Sequence, residues 1–207
     1  MINLARLAAA PVETAPFPYF STQDLIEPDN LAAVSRDFPL IDKAGLFPLS
    51  GLTYGPAFER LISDLRRREF EVLMERKLGV DLSDKPLMIT VRGRCAKRDG
   101  RPHTDSEDKI ATGLLYLNDA DWDAPGGRLR LLRSGDVNDA ITEIPPVGGT
   151  LVAFRRTDRS WHGHEPFEGP RRYIMFNWVR SEAALAKNVG RHKLSAAIKR
   201  MDLFHAR

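Results

Sequence analysis

Two short stretches hold most of the metal-ligand chemistry in this chain. One is His103-Thr104-Asp105, in the loop after the apolar run LMITVRGRC; the other is Ser160-Trp161-His162-Gly163-His164, a few residues after GGTLVAF. Side chains two positions apart in extended backbone point the same way, so His103 and Asp105 can grip one ion, and His162 and His164 share a direction. Two imidazoles and one carboxylate on a triangular face of an octahedral ion leave the opposite face open. That arrangement suits non-haem Fe(II), which must hold a cosubstrate and oxygen together. A closed structural zinc site would want a fourth protein ligand, and His164 is available for it. Cys95 is the one cysteine, so no set of thiolates competes and an internal disulfide is excluded.

Arg171 and Arg172 follow soon after the second pair of histidines. Along RRYIMFNW, alternation places Arg172, Ile174, Phe176 and Trp178 on one face and Arg171, Tyr173, Met175 and Asn177 on the other. An arginine beside three large apolar residues on an inward face needs a carboxylate to meet it in a fork, which favours Arg172 as an anion-binding group. A slip of one residue would exchange the two arginines between faces. Basic residues also crowd both approaches: Arg92, Arg94, Lys97, Arg98 and Arg101 before HTD, and Arg155, Arg156 and Arg159 before SWH. They are either solvated loop charge or the mouth of a site for an anionic substrate.

The elements that must hold these groups can be read from pattern. From Pro86 onward, six short runs rich in β-branched and apolar residues alternate with Gly, Pro and Asp: LMITVRGRC, KIATGLLYLN, GGRLRLL, AITEIPP, GGTLVAF and RRYIMFNWV. Such spacing indicates an antiparallel sandwich or barrel. Before it, GPAFERLISDLRRREFEVLMERKLGVDL carries Phe58, Leu61, Ile62 and Leu65 at helical spacing, renewed by Phe70, Leu73 and Met74, so one long or two short amphipathic helices pack on a sheet. Residues 1–54 read as loops, a few strand residues and one short helix. After Ser181, a plausible N-cap, helix returns, with Gly190 as an expected break and its basic residues on a solvated face. The expected class is therefore α+β with a mainly β core.

At 207 residues, with 43% apolar and 29% charged residues, the chain fits one domain: helical support over 1–84, the β core over 85–180 and a helical segment over 181–207. A net charge of +3 lends no support to a nucleic-acid partner. No run is apolar enough to cross a bilayer, and the start lacks the basic region of a secretory signal, so a cytoplasmic location is expected. The pattern leaves the oligomeric state open.

Taken in order, HTD, GLLYLN, GGRLRL, PPVGGTLVAF, and SWH followed ten residues later by Arg172 resemble the Fe(II)- and 2-oxoglutarate-dependent oxygenase superfamily, and within it the prolyl 4-hydroxylase-like branch. The resemblance spans about residues 85–180. It implies a double-stranded β-helix (jelly roll) with Fe(II) held by His103, Asp105 and His162. It further implies that Arg172 holds the distal carboxylate of 2-oxoglutarate, with Tyr116 beside it, Leu129 as an apolar wall and Trp178 at the base of the pocket. Leu114, Leu131, Ile174 and Phe176 are further wall candidates. The implied enzyme is a dioxygenase that consumes 2-oxoglutarate and O2 and hydroxylates an unactivated C–H bond, on a small molecule rather than a peptide, since no extended groove or peptide-binding module is legible. Two other readings stand beside it: a non-catalytic cupin-like jelly roll that binds a metal or ligand, and a zinc or manganese cupin using His164 as a fourth ligand.

Overall fold

A computed structural model describes the backbone over residues 1–201 and side chains over residues 1–191. The β half forms two antiparallel sheets. In the larger, six strands run in the order β1 (Tyr19–Thr22), β7 (Leu151–Arg155), β4 (Lys109–Tyr116), β9 (Gly169–Val179), β3 (Leu87–Cys95) and β2 (Phe47–Pro48). The smaller sheet has the order β6 (Ala140–Ile144), β5 (Leu129–Leu132), β8 (Trp161–Gly163). All six expected runs are strands. The pairing of non-consecutive strands produces the jelly-roll arrangement of two facing sheets. β1 and β2, recruited from the N-terminal region, extend the large sheet at its two edges.

Alternation along each strand gives the large sheet two buried faces. Ile89 and Val91 of β3, Ala111 and Leu115 of β4, Leu151 and Ala153 of β7, and Ile174, Phe176 and Trp178 of β9 all join the core beneath the helices. Their neighbours in sequence, including Leu114, Tyr116, Val152, Phe154 and Tyr173, face the small sheet and meet Leu129, Leu131 and Ile144 there. A sheet with both faces covered carries two cores, and each strand side chain contributes to one of them.

Helix α3 (Pro56–Leu65) and helix α4 (Arg68–Leu78) supply the helical layer, separated by a short break at Arg66 and Arg67. Pro56 starts α3 where its missing N–H costs nothing, and Gly79 ends α4 in the left-handed region at φ 63°. Their apolar stripe is buried against the sheet. Phe70 of α4 lies 5.6 Å from Phe176 and 6.4 Å from Trp178, ring centre to ring centre. Full burial of side chains of this size is worth about 1.5 to 3 kcal/mol each. Two further helices, α1 (Leu4–Ala9) and α2 (Pro28–Arg36), complete this layer, where the sequence suggests one.

The last helix, α5 (Glu182–Met201), starts as expected: the Ala184 N–H donates to the Ser181 hydroxyl at 3.2 Å. It then runs through Gly190 without a break, since a single glycine in a helix interior costs only about 1 kcal/mol. α5 contacts β2, β3 and β9 beside the mouth of the space between the sheets. Residues 202–207, and the side chains that would test the expected solvated face beyond Arg191, lie outside the described residues. No described helix is long and apolar enough to cross a membrane.

Candidate metal centre and cosubstrate pocket

His103 follows β3 by one loop, and a two-residue antiparallel bridge pins it to β8. The His103 N–H donates to the His162 carbonyl and the His162 N–H to the His103 carbonyl, both at 3.0 Å. Two residues that exchange both backbone hydrogen bonds sit directly opposite and project to one side. Their imidazole ring centres are therefore 4.3 Å apart. Asp105, two residues on, joins them: the ligand atoms of His103, Asp105 and His162 all lie within 4.8 Å of one another.

Each imidazole is held in the tautomer a metal needs. His103 Nδ1 lies 2.9 Å from the Arg101 carbonyl and His162 Nδ1 lies 2.9 Å from the Ser160 carbonyl. A carbonyl only accepts, so each Nδ1 carries the proton and each Nε2 presents a lone pair. Burial of His162 pushes its pKa down to about 4, which keeps the ring neutral at ordinary pH. Asp105 is buried as well, and burial alone would raise its pKa. The nearby Lys109 ammonium and His162, together with the Lys109 and Thr112 hydrogen bonds, more than reverse this and hold the carboxyl well below the usual carboxylate range. Lys109 Nζ donates to Asp105 Oδ1 at 2.6 Å and the Thr112 hydroxyl to Oδ2 at 2.5 Å. The Arg156 guanidinium donates to the Asp105 backbone carbonyl at 3.1 Å, so the loop carrying this carboxylate is tied to the strand end that precedes SWH.

His164 points the same way as His162 but stands outside the donor set. Its ring packs on Gly100, where a Cβ would fall 2.0 Å from His164 Nε2 and where φ is +79°. Its backbone N–H donates to the Gly100 carbonyl at 2.8 Å, fixing the ring over that glycine. Among the described residues, the four-ligand arrangement of a closed zinc site is therefore not assembled.

A cavity of about 700 Å³ opens beside the three donors, between the sheets, lined by residues including Leu114, His164, Arg171 and Met175. Arg171 is 1% exposed. Its Nη2 donates to the Tyr116 hydroxyl at 3.0 Å, its Nε donates to the Gly127 carbonyl at 2.7 Å, and its guanidinium carbon sits 4.8 Å from the centre of the Tyr173 ring. Among the described residues no carboxylate meets this buried charge, and a ligand carboxylate is the partner such a site calls for.

The expectation for Arg172 needs correction. Its guanidinium lies on the opposite face of the sheet, 5.5 Å from the centre of the Phe38 ring, and it does not line the cavity. Trp178, Ile174 and Phe176 are on that face too. Trp178 packs against Phe70 and donates from Nε1 to Glu71 Oε2 at 3.3 Å, so it supports the helical layer rather than the base of the pocket. The alternation in β9 is the expected one, and the face turned toward the cavity is that of Arg171, Tyr173 and Met175. Tyr116 and Leu129 are buried in the core between the sheets, 0% and 4% exposed; neither lines the cavity, which Tyr116 adjoins through its hydrogen bond with Arg171. Burial raises the pKa of Tyr116 to about 12, which keeps its hydroxyl protonated.

The basic residues also sort themselves differently from the expected mouth. Arg155 is exposed and donates to the Gly79 carbonyl at 3.3 Å, and Arg156 clamps the Asp105 loop and pairs with Asp158. The cations that line the cavity are Arg92, Lys109, Arg171 and Arg191. Lys109, Thr112 and Arg92 carry no motif of their own. Lys109 stands four residues after Asp105, and parity in β3 and β4 would have found the other two once the cavity face of β9 was known.

Against known proteins, residues 93–180 match the model of the 2OG-Fe(II) oxygenase superfamily. The β core of this chain is thus similar to that of the 2OG-Fe(II) oxygenases. That superfamily works with Fe(II), 2-oxoglutarate and O2, and the donor set here fits the metal: three neutral or anionic ligands on one side and open cavity on the other. The fold is shared with a prolyl-4-hydroxylase from Pseudomonas putida at 16% identity, covering 86% of this chain and 90% of that one, with a TM-score of 0.53. It is shared also with AviO1 from Streptomyces viridochromogenes Tue57, at 15% identity over 86% of this chain and 94% of that one, TM-score 0.50. No curated protein sequence matches the chain. This chain combines that fold with a cavity opening between its two sheets and a His-Asp-His cluster beside the cavity.

Proposed function

We propose that the protein is a 2-oxoglutarate-dependent hydroxylase in which His103, Asp105 and His162 hold Fe(II), and Arg171, with Tyr116 and the Leu129 wall, holds the distal carboxylate of 2-oxoglutarate. The observation that carries this reading is the pairing of the three-donor cluster with a buried arginine in one cavity. An iron site alone would also suit a cupin-like binding module. A fully buried guanidinium aimed into the same space has no use in such a module, and it suits a dianionic keto acid.

The bound iron supplies the oxidative chemistry: substrate C–H, O2 and 2-oxoglutarate become C–OH, succinate and carbon dioxide. The protein's own residues bind and orient. The Arg101 and Ser160 carbonyls aim the two Nε2 lone pairs, and Lys109 and Thr112 fix both oxygens of Asp105. Arg171, with its Nε and Nη2 already engaged by Gly127 and Tyr116, is a rigid fork end for the carboxylate. The apolar walls from Leu114 and Met175 limit water around the reacting centre.

The substrate we infer is a small molecule, supported by a partly open cavity of about 700 Å³, inside the usual range for small-ligand sites. The lone thiol, Cys95, is buried and unpaired by any disulfide, which suits a cytoplasmic enzyme. The described residues act as one unit in this reading, because the apolar core beneath the helices joins side chains from Leu7 to Trp178.

Anaerobic addition of Fe(II) and then 2-oxoglutarate to the purified protein tests the proposal. A visible charge-transfer band that needs both components, followed in air by succinate formation, is the expected result. Iron binding with neither band nor succinate would leave the binding-module reading in its place.

A further inference from the structure

We infer that Arg92 anchors a carboxylate of the substrate, next to the keto-acid site, so that the enzyme acts on a small carboxylic acid. The inference rests on the hydroxylase reading above and adds the substrate class to it.

Arg92 lies on β3 directly across from Tyr173 of β9, on the strand face that looks into the cavity. Its side chain is 10% exposed. One edge of the guanidinium is engaged: Nη1 pairs with Asp99 and lies 3.5 Å from Cys95 Sγ. Nε, on the other edge, is buried without a hydrogen-bond partner. Buried donors are almost always satisfied, so in a side chain that lines the cavity the unmade bond marks the edge of the guanidinium that lacks an acceptor. Asp99 also accepts from the Ala96 N–H at 3.0 Å, which fixes the turn and holds the guanidinium in place before any ligand arrives.

The charge of the cavity points the same way. Arg92, Lys109, Arg171 and Arg191 line it, against Asp99 and Asp105. A divalent ion and a dianionic keto acid cancel one another, so the loaded cavity keeps the surplus of cations and attracts a further anion. Arg171 and Arg92 lie 4.8 Å and 5.8 Å from the centre of the same Tyr173 ring, so the two anion positions are adjacent. Arg171 is the deeper of the two at 1% exposed against 8%, leaving Arg92 to the molecule that enters after the keto acid.

The second anion is a carboxylate rather than a phosphate. A single guanidinium edge matches a planar monoanion in a fork. The Asp99 carboxylate, bound to the same guanidinium, repels a dianion such as a phosphate monoester. An internal residue of a peptide offers no main-chain carboxylate at this position, which separates this substrate class from peptide hydroxylation.

The test uses wild-type protein loaded anaerobically with Fe(II) and saturating 2-oxoglutarate. Free L-amino acids and aliphatic and aromatic monocarboxylic acids are screened by thermal shift and titrated by calorimetry, each beside its carboxamide, with inorganic phosphate as a separate arm. At least one acid is expected to bind about tenfold or more tightly than its amide. Arg92→Gln is expected to remove that preference, weakening the acid about tenfold while leaving the amide within about threefold. Arg92→Lys, which keeps the charge facing Asp99 but cannot form the fork, is expected to fall between the two, and carries the comparison if the Gln variant does not fold. Absence of any acid that binds, equal affinity for acid and amide, an acid preference undiminished in both variants, or tighter binding of phosphate than of every acid would each overturn the inference. The hydroxylase reading is judged separately, on the wild-type band with 2-oxoglutarate and on succinate formation; if those fail, it is that reading which falls.

Discussion

Replacing Arg171 and Arg172 one at a time separates two side chains that are neighbours in sequence and lie on opposite faces of β9. Arg171→Gln removes a cation that is 1% exposed and leaves a keto-acid carboxylate facing Tyr116 with no counter-charge. Losing one partner of a buried, hydrogen-bonded charge pair costs about 2 to 5 kcal/mol in binding, much of it from the charge left unpaired. At 1.4 kcal/mol per factor of ten, the 2-oxoglutarate midpoint is expected to rise by roughly thirtyfold to several thousandfold. Arg172→Gln loses only a half-exposed contact with the Phe38 ring at 5.5 Å, worth about 0.5 to 1 kcal/mol of stability. Its backbone N–H keeps its bond to Asn118, and 2-oxoglutarate affinity should stay within about twofold. The assay is an anaerobic titration of the iron-loaded variants with 2-oxoglutarate, read by the charge-transfer band or by calorimetry, with Arg171→Lys as a variant that keeps the charge. If Arg172→Gln loses the affinity and Arg171→Gln keeps it, the assignment of faces is wrong and with it the pocket built here.

His103→Ala and Asp105→Ala each remove one of three donors, and both are expected to abolish stoichiometric Fe(II) retention after desalting, measured by metal analysis, with the fold intact by circular dichroism. Trp178→Phe should lower stability by about 1 to 3 kcal/mol in urea, from the lost Glu71 hydrogen bond and the gap against Phe70, and leave 2-oxoglutarate affinity unchanged; weakened cosubstrate binding at wild-type stability would return Trp178 to the pocket. Gly100→Ala forces a Cβ into the His164 ring at a positive φ and should cost more than about 1 kcal/mol, seen as a lower urea midpoint. His162 and His164 are both buried with pKa values lowered to about 4 from 6.5. The unfolded chain takes up their protons first as pH falls, so metal-free stability should drop between about pH 6.5 and 4, by up to roughly 3 kcal/mol per histidine, and the midpoint in urea at pH 7 and pH 4.5 checks this.

Much of the site is legible before folding is considered. HTD marks two of the proposed ligands, His103 and Asp105, because a pair two residues apart needs nothing but extended backbone to converge, whereas the bridge to His103 is what selects His162 over His164. The strands of the β core are equally plain, since each must bury alternate residues. Lys109, Thr112 and Arg92 are less so: a lysine, a threonine and an arginine in ordinary strand surroundings carry no local mark. Lys109 matters because the loop before β4 turns Asp105 back beside it, and Thr112 and Arg92 matter because Asn177 and Tyr173 arrive beside them from β9. Gly190 misleads for a related reason, as a helix breaker is overruled when the surrounding turns are already held.

Local chemistry settles which residues travel together in β9: Arg171 with Tyr173 and Met175, Arg172 with Ile174 and Trp178, because successive side chains of a strand must point to opposite sides. It does not settle which set meets the metal. Both faces of the large sheet are buried, one under α3 and α4 and the other against the small sheet, and so both look alike in one dimension. Only the assembled layers break that symmetry, by filling one face with phenylalanine rings and leaving on the other a cavity whose deepest lining cation, among the described residues, is Arg171.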